Sequence, residues 1–424
     1  MSTIQQQAIK ALFVRCFNAF TERIVARPTH QMPWLCEAFP EPLSPDYLRI
    51  GTFGRTRVES WINRQLARYC FPVWKRCVWP RAIDFIMVEL ETKYLPVYLQ
   101  ACNDKDERLE LRRLFIRLFN RYFGKPPKIM REATSIDLFY ALFELLDGVA
   151  EIVGGQKDVY QKEKAFQNQI CTRIYTEIRE EILSHPMGLD LMLYLAVRAN
   201  WIDLVEDKVD VFLEGFREEV NELLDGRDTL AFQRQHNPFF QLSAVVFCLE
   251  ECPKTILYEL DNCGEVVMDL LLVELLIKRG HLIILAARGK PVLNDVTVDD
   301  LTALLAQPEF VSLAPALESG QISIVSSGSL ITGKYVWEAP QDYQDAYQAA
   351  DMLILKGQGN FQTMPMLSAT RSVYPYKKPM VYMMGVKAKL ISYCMDRLFI
   401  QSKPLPQSLF LYYFHPQNQS THPK

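Results

Sequence analysis

The chain has 424 residues, a formal net charge of −3, about half its residues apolar and about a quarter charged. It is long enough to bury the cores of two or three domains, too rich in aromatics for wholesale disorder, and without the basic excess of a dedicated nucleic-acid binder. No apolar run reaches the roughly 20 residues that a membrane span needs.

From the N-terminus to about residue 240 the chain reads as helices. Apolar residues recur at three- and four-residue steps in "QAIKALFVRCFNAFTERI", "SIDLFYALFELLDGVAEIV" and "LDLMLYLAVRANWIDLVE". Turn signals separate these segments at 39–45, 124–128, 153–158 and 184–188. The basic run "RLELRRLFIRLFNRYFGK" (108–125) has the Leu/Phe spacing of an amphipathic helix with a solvated basic face. The texture changes near 240, where short apolar runs begin: 243–249, 255–260, 281–287, 321–327, 351–356 and 379–384. Segments 264–279, 297–307 and 342–350 between them carry helical spacing. Continuous apolar strands alternating with helices predict an α/β fold with a mostly parallel sheet covered on both faces. The expected organisation is a helical domain over 1–240, an α/β domain over 241–395 and a tail over 396–424 whose aromatic part docks on the body.

Cysteine and histidine usage narrows the chemistry. None of the ten cysteines forms C-x-x-C, and the six histidines show no zinc-finger or H-E-x-x-H spacing. Scattered thiols and a polar start, "MSTIQQQAIKALFVRC", without a signal-peptide core predict a reducing, cytoplasmic setting.

In parallel α/β sheets ligands sit outside the carboxyl ends of the strands, so those ends are read for function. Asp261-Asn262-Cys263-Gly264-Glu265 follows the strand at 255–260. "RGKPVLNDVT", with Arg288, Asn294 and Asp295, follows 281–287. "SSGS", with Ser327, follows 321–325, and Lys356-Gly357-Gln358-Gly359-Asn360 follows 351–355. Asp261, Asn262 and Asp295 offer hard oxygen donors suited to Mg²⁺, Mn²⁺ or a similar octahedral ion. The competing reading is helix capping by Asn262 and by Asn294 or Asp295. Lys356 at a strand end, followed by Gly357, Gly359 and a helix N-terminus, suits a phosphate, though the spacing is neither a P-loop nor G-x-G-x-x-G. A metal beside an anion site suggests phosphate-ester hydrolysis.

In chain order, "LAVRANWID", "DNCGEVVMD", "ARGKPVLNDVT", "SSGS" and "ADMLILKGQGNF" resemble the motifs of the damage-control phosphatase family, long catalogued as a domain of unknown function. "VYMMGVKAK" is a looser sixth match, and the resemblance spans about residues 185–390. It implies a helical domain leading into a three-layer α/β/α domain, and a phosphatase activated by Mn²⁺, Co²⁺, Ni²⁺ or Mg²⁺. It implies metal ligation by Asp261, Asn262 and Asp295, with Lys356 and its glycines at the phosphate. It also brings Asn200 and Asp203 in from the helical domain and Lys387 from the last strand. The wider candidate set adds Glu265, Arg288, Asn294, Ser327 and Asn360. The expected substrate is a small phosphorylated metabolite, either a sugar phosphate or a damaged cofactor-related phosphate. Departures from the family pattern are Ala199 for glycine, Gln362 for an acid, Ala388 for cysteine and the lack of an N-terminal C-x-x-C. Two other readings compete: an S-adenosylmethionine-dependent methyltransferase, and a non-catalytic binding protein that works through its helical surface.

Overall fold

The structure, a computed structural model, describes residues 2–26, 87, 90–124, 135–155, 158–202, 209–224, 229–237, 239–329, 333–334, 336–364, 378–386 and 409–415. The chain divides into two compact units, Met1–Val159 with Arg371–Tyr374 and Tyr160–Thr370 with Pro375–Lys424. The composition change near 240 therefore marks where α/β alternation begins, whereas the compact units divide after Val159.

In the first unit, α1 (Thr3–Ala26) packs against α2 (Lys105–Phe123) and α3 (Ser135–Ile152). Asp104 caps α2, its carboxylate accepting from the backbone N–H of Asp106 and Glu107 at 2.8 Å. The basic run forms the expected amphipathic helix: Leu111, Leu114, Phe115, Leu118, Phe119 and Phe123 are buried, and the arginines lie off that stripe.

The second unit holds α4 (Gln161–Ser184), α5 (Gly188–Ala199), α6 (Val209–Leu224), α7 (Thr229–His236) and α8 (Leu242–Glu251). The strand expected at 243–249 is the body of α8. Leu242, Val245, Cys248 and Leu249 are buried at helical spacing, while Phe247 is 71% exposed. A short apolar run fits either period, and here the three- to four-residue stripe won.

Among the described residues six strands follow: β1 (Thr255–Glu259), β2 (Leu282–Ala287), β3 (Ile322–Ser326), β4 (Met352–Lys356), β5 (Met380–Gly385) and β6 (Leu409–Phe414). They form one sheet in the order β3-β2-β1-β4-β5-β6, parallel except for the β5–β6 pair. The aromatic part of the tail is thus an antiparallel edge strand, its register running from Met380↔Phe414 to Gly385↔Leu409. The interleaved helices include α9 (Glu265–Lys278), α10 (Val298–Leu305), α11 (Gln341–Ala349) and α12 (Gly357–Thr363).

Side-chain alternation along β1 shows that both faces are covered. Tyr258 bonds to Asp269 on α9, while its neighbour Glu259 bonds to Tyr343 on α11. α9 is packed by α4, α5 and β2, and every residue from Glu265 to Leu276 is buried. A helix apolar nearly all round is one enclosed by protein, which is how 264–279 reads in sequence. Strand order reverses at β1: β2 and β3 lie on one side, β4 and β5 on the other. That topological switch point places the carboxyl ends of β1 and β4 side by side.

Candidate active site

The chain past β1 does not enter α9 directly. Leu260 N–H donates to Ala286 O at 3.0 Å, so the backbone continues beside β2. It then meets the loop after β2: Val296 N–H donates to Asp261 O at 2.8 Å, and Cys263 N–H to Asn294 O at 2.9 Å. Asn262 and Asp295 form an antiparallel bridge, and Arg288 bridges Thr297. Directly opposed residues of an antiparallel pair project to one side with Cβ atoms about 5 Å apart. Two segments some thirty residues apart in sequence are thereby locked into one oxygen-rich cluster. Leu293, at φ 50°, takes the left-handed turn that aims Asn294 and Asp295.

Neither pair of residues is spent on capping. Gly264, at φ 82°, occupies the N-cap of α9, and its N–H donates to Asn168 on α4 at 2.6 Å. The Asn262 side chain donates to Glu265 through Nδ2 at 2.8 Å instead of accepting from the helix; its backbone N–H also donates to Glu265, at 3.2 Å, and only its backbone O accepts from Val266 N–H, at 3.2 Å. Thr297 caps α10 in a capping box with Asp300, leaving Asn294 and Asp295 outside it.

The side chains around Asp261 form an ordered chain of donors and acceptors. Gly385 N–H donates to Asn200 Oδ1 at 3.0 Å, which fixes the amide so that Nδ2 points at carboxylates. That Nδ2 reaches Asp261 Oδ2 at 3.1 Å and both Glu265 oxygens at 2.9 Å. Asn262 Nδ2 donates to Asp261 Oδ2 at 3.2 Å. With its nitrogen held between two carboxylates, Asn262 turns Oδ1 away, and the described residues supply that oxygen no donor. Asp295 Oδ2 accepts from Arg288 Nε at 2.7 Å, both side chains being buried.

Beneath this layer lies Lys356. Its ammonium donates to Ala196 O at 2.6 Å and pairs with Glu265 Oε2 at 2.9 Å and Asp269 Oδ1 at 3.0 Å. Three N–H groups meet three acceptors, and the side chain is fully buried. Tyr258 OH also donates to Asp269 Oδ1, at 2.7 Å. Burial pushes the Asp269 carboxyl up to about 6, with Lys356 pulling against it. Burial works against the Lys356 charge too, but Asp269 and Glu265 outweigh it and hold the ammonium above its ordinary range. The lysine expected at a phosphate is therefore engaged with the protein's own carboxylates.

On the opposite face of β1 a second buried cluster closes the site from α11 and the segment after β3. Glu259 accepts from Tyr343 OH and pairs with Lys334. Lys334 Nζ also donates to Asn360 Oδ1 at 3.1 Å. Asn360 Nδ2 donates to Lys356 O at 2.8 Å and Leu260 O at 3.2 Å, tying β4 to β1. Sequence reasoning singled out Asn360 but missed Glu259, Lys334 and Tyr343. The one available signal was Glu259 itself, a carboxylate inside an apolar strand.

The site thus gathers Asp261, Asn262, Asp295, Arg288, Asn294, Glu265, Asn200, Asn360, Lys356 and Gly357. Ser327 is buried at the end of β3, its hydroxyl without a partner among the described residues. Gly359 lies on the first turn of α12. Asp203 and Lys387 lie outside the described residues. Gly357 has a stricter reason than loop flexibility. At φ +75°, a Cβ added there would fall 1.7 Å from Asp261 Oδ2. The close approach that this glycine permits is to the site's own carboxylate. Gly357→Ala is expected to lower stability by roughly 2 kcal/mol from the left-handed backbone alone and to displace Asp261. Urea unfolding and kcat/KM measured together would show both; an active variant of unchanged stability would refute the packing argument.

Among the described residues no three His, Cys, Asp or Glu side chains cluster as a metal-ligating group. A metal set here would rest on two carboxylates and the Asn262 Oδ1, to which the described residues give no donor. Those are hard donors that fit a Mg²⁺- or Mn²⁺-like ion.

The family described as "Damage-control phosphatase ARMT1-like domain" matches residues 89–396. The chain belongs to this family. Membership covers the whole sheet-end site as well as helices before it. Curated relatives include Damage-control phosphatase PH1575 of Pyrococcus horikoshii, 25% identical over 224 residues, 53% of this chain and 68% of that protein. Another, named Damage-control phosphatase, is from Archaeoglobus fulgidus: 23% identical over 218 residues, 50% of this chain and 66% of that one. Uncharacterized protein MJ0202 of Methanocaldococcus jannaschii is 30% identical over 139 residues, and the match spans only 40% of its length. The solved structure of a DUF89 family protein from P. horikoshii superposes with a TM-score of 0.55 at 19% identity, over 80% of this chain and 98% of that one. That likeness shows the fold, a helical part joined to an α/β part, in a family member. No helix among the described residues is long and apolar enough to cross a membrane.

Proposed function

We propose that this family member is a metal-dependent phosphatase that hydrolyses a small phosphorylated metabolite at the carboxyl ends of β1, β2 and β4. The observation that carries the reading is the bridge between Asn262 and Asp295, which joins the two acidic strand ends at the switch point. Relatives named damage-control phosphatases support the reaction class.

Asp261, Asn262 and Asp295 would hold the ion, drawn from Mn²⁺, Co²⁺, Ni²⁺ or Mg²⁺. When bound, such an ion supplies positive charge toward the phosphoryl oxygens and lets a water give up its proton near neutral pH. The protein's own groups do the rest. Asn200 and Glu265 orient Asp261 and Asn262, and Arg288 fixes Asp295. Ser327 offers a buried hydroxyl to a phosphoryl oxygen. Lys356 holds Glu265 in place, so its part in the chemistry is to keep the ligand layer ordered.

The test is hydrolysis of an aryl phosphate by the purified full chain against a panel of those four ions. Activity is expected with at least one ion, with complete loss on chelation and recovery on re-addition. The panel, extended to sugar phosphates and cofactor-related phosphates, identifies the substrate class. The methyltransferase reading is disfavoured because β1 leads through a single glycine into α9, a helix enclosed by protein, which leaves no glycine-rich loop for a nucleoside. Micromolar binding of S-adenosylmethionine in calorimetry would restore it. Silence with every ion while a protein partner co-purifies would favour the binding-protein reading.

A further inference from the structure

Four lysine or arginine side chains are buried among the described residues: Lys164, Arg288, Lys334 and Lys356. Lys164 belongs elsewhere, pairing with Asp300 at the start of α10 at 3.0 Å. Arg288 is engaged by Asp295, and Lys356 by three acceptors. Lys334 differs. Its ammonium has three N–H groups, and the described residues give it two acceptors, Glu259 and Asn360 Oδ1. Tyr343 shares Glu259 through the other carboxylate oxygen, and its ring centroid lies 5.3 Å from Nζ.

Position matters as much as pairing. Gly333, just before Lys334, is seated against α12: a Cβ there would lie 2.6 Å from Gly359 O. Lys334 N–H donates to Thr363 Oγ1 at 3.2 Å. The residue is therefore pinned to the helix that starts at Gly357, the glycine lying against Asp261. Lys334 pairs with Glu259, two residues before Asp261, and donates to Asn360, whose amide reaches Leu260 O, so it lies at the same strand end. Burial, opposed chiefly by Glu259, brings its ammonium down to about 8, whereas the partners of Lys356 hold that ammonium up. Of the two lysines, Lys334 is the one to which the described residues leave a donor to spare.

We propose that Lys334, rather than Lys356, binds the substrate's phosphate, giving its third N–H to a phosphoryl oxygen while Glu259 and Asn360 hold the ammonium in place. The assignment rests on the phosphatase reading above and names the cation of that same site.

Inorganic phosphate is the probe, used as a competitive inhibitor of aryl phosphate hydrolysis by the full chain with its best metal. Lys334→Met would leave Glu259 buried without its cation, so Glu259→Gln/Lys334→Met, which removes both charges, is prepared beside it. The inhibition constant for phosphate is expected to rise about ten- to hundredfold in whichever of these folds, the loss of a hydrogen bond to a charged group. Lys334→Arg is expected to stay within about fivefold of wild type, because charge and donors survive. A folded, charge-free variant that binds phosphate within about twofold of wild type overturns the assignment while leaving the phosphatase reading intact. A wild-type protein that hydrolyses no phosphate ester with any ion overturns the reading itself, and this assignment with it.

Discussion

Asp261→Ala is expected to abolish metal-dependent hydrolysis, with kcat falling on the order of a thousandfold, as when a preorganised electrostatic group is removed. The fold should survive. Both amides that donate to Asp261, from Asn200 and Asn262, also donate to Glu265. Truncation therefore leaves neither N–H without an acceptor, and the cost is about 1 kcal/mol, the net worth of an ordinary hydrogen bond. The measurement is a steady-state assay with the best metal, paired with urea unfolding. Full activity in a folded Asp261→Ala protein, or activity that persists in excess chelator, would remove Asp261 from the metal set. A collapse of stability in this variant would make the activity loss uninformative, and Asp261→Asn, which keeps the volume, would then replace it.

Lys356→Met is expected to act in the opposite way, chiefly on stability. The ammonium is the shared cation of two buried carboxylates, Glu265 and Asp269, and it also satisfies Ala196 O. Removing it strands that charge in a site with no exposure, and breaking a buried pair by deleting one partner costs about 3–5 kcal/mol. For a domain of this size that is a large part of the total stability. Asp269 is already pushed up to about 6 by burial and would rise further once Lys356 is gone. The variant should therefore regain stability as pH falls and Asp269 takes up a proton. The sign follows from linkage: a carboxyl raised in the folded state favours folding where it is protonated and opposes it where it is charged. Unfolding of wild type and Lys356→Met at pH 5 and pH 8 would show a smaller difference at pH 5. An unchanged melting temperature at pH 8 would show that Lys356 is free for substrate after all. The contrast with Lys334 would then be lost.

Much of the site was legible before any coordinates. Asp261-Asn262 and Asn294-Asp295 stood out because two apolar strands end in hard oxygen donors, and strand ends in a parallel sheet converge by geometry. Capping could not be set aside at that level, since Asn and Asp serve both roles equally well. Thr297 caps α10, and the Asn262 amide donates to Asp261 and Glu265 rather than accepting from α9, which only the folded backbone path reveals. Lys356 illustrates the converse. A lysine before two glycines reads as an anion site, yet the acceptors that claim it come from α5 and α9, one of them 160 residues away. The segment 243–249 was ambiguous for a different reason. A seven-residue run is too short to separate a buried strand from one face of a helix, and packing resolved it as α8.

What the sequence determined by itself is local and periodic. Strands β1 to β5, the helices between them, the amphipathic α2 and the identity of the oxygen donors all follow from patterns within about twenty residues, where backbone geometry fixes which side chains share a face. What the tertiary structure decided is which groups spend their hydrogen bonds on one another. The strand order that sets β4 beside β1, the bridge from Asn262 to Asp295, the burial of Lys356 among carboxylates and the arrival of Lys334 beside Glu259 join residues far apart in the chain. In a dry interior each donor must find its acceptor, and that pairing depends on the whole fold. It separates a lysine that holds the site together from one to which the described residues leave an N–H to offer.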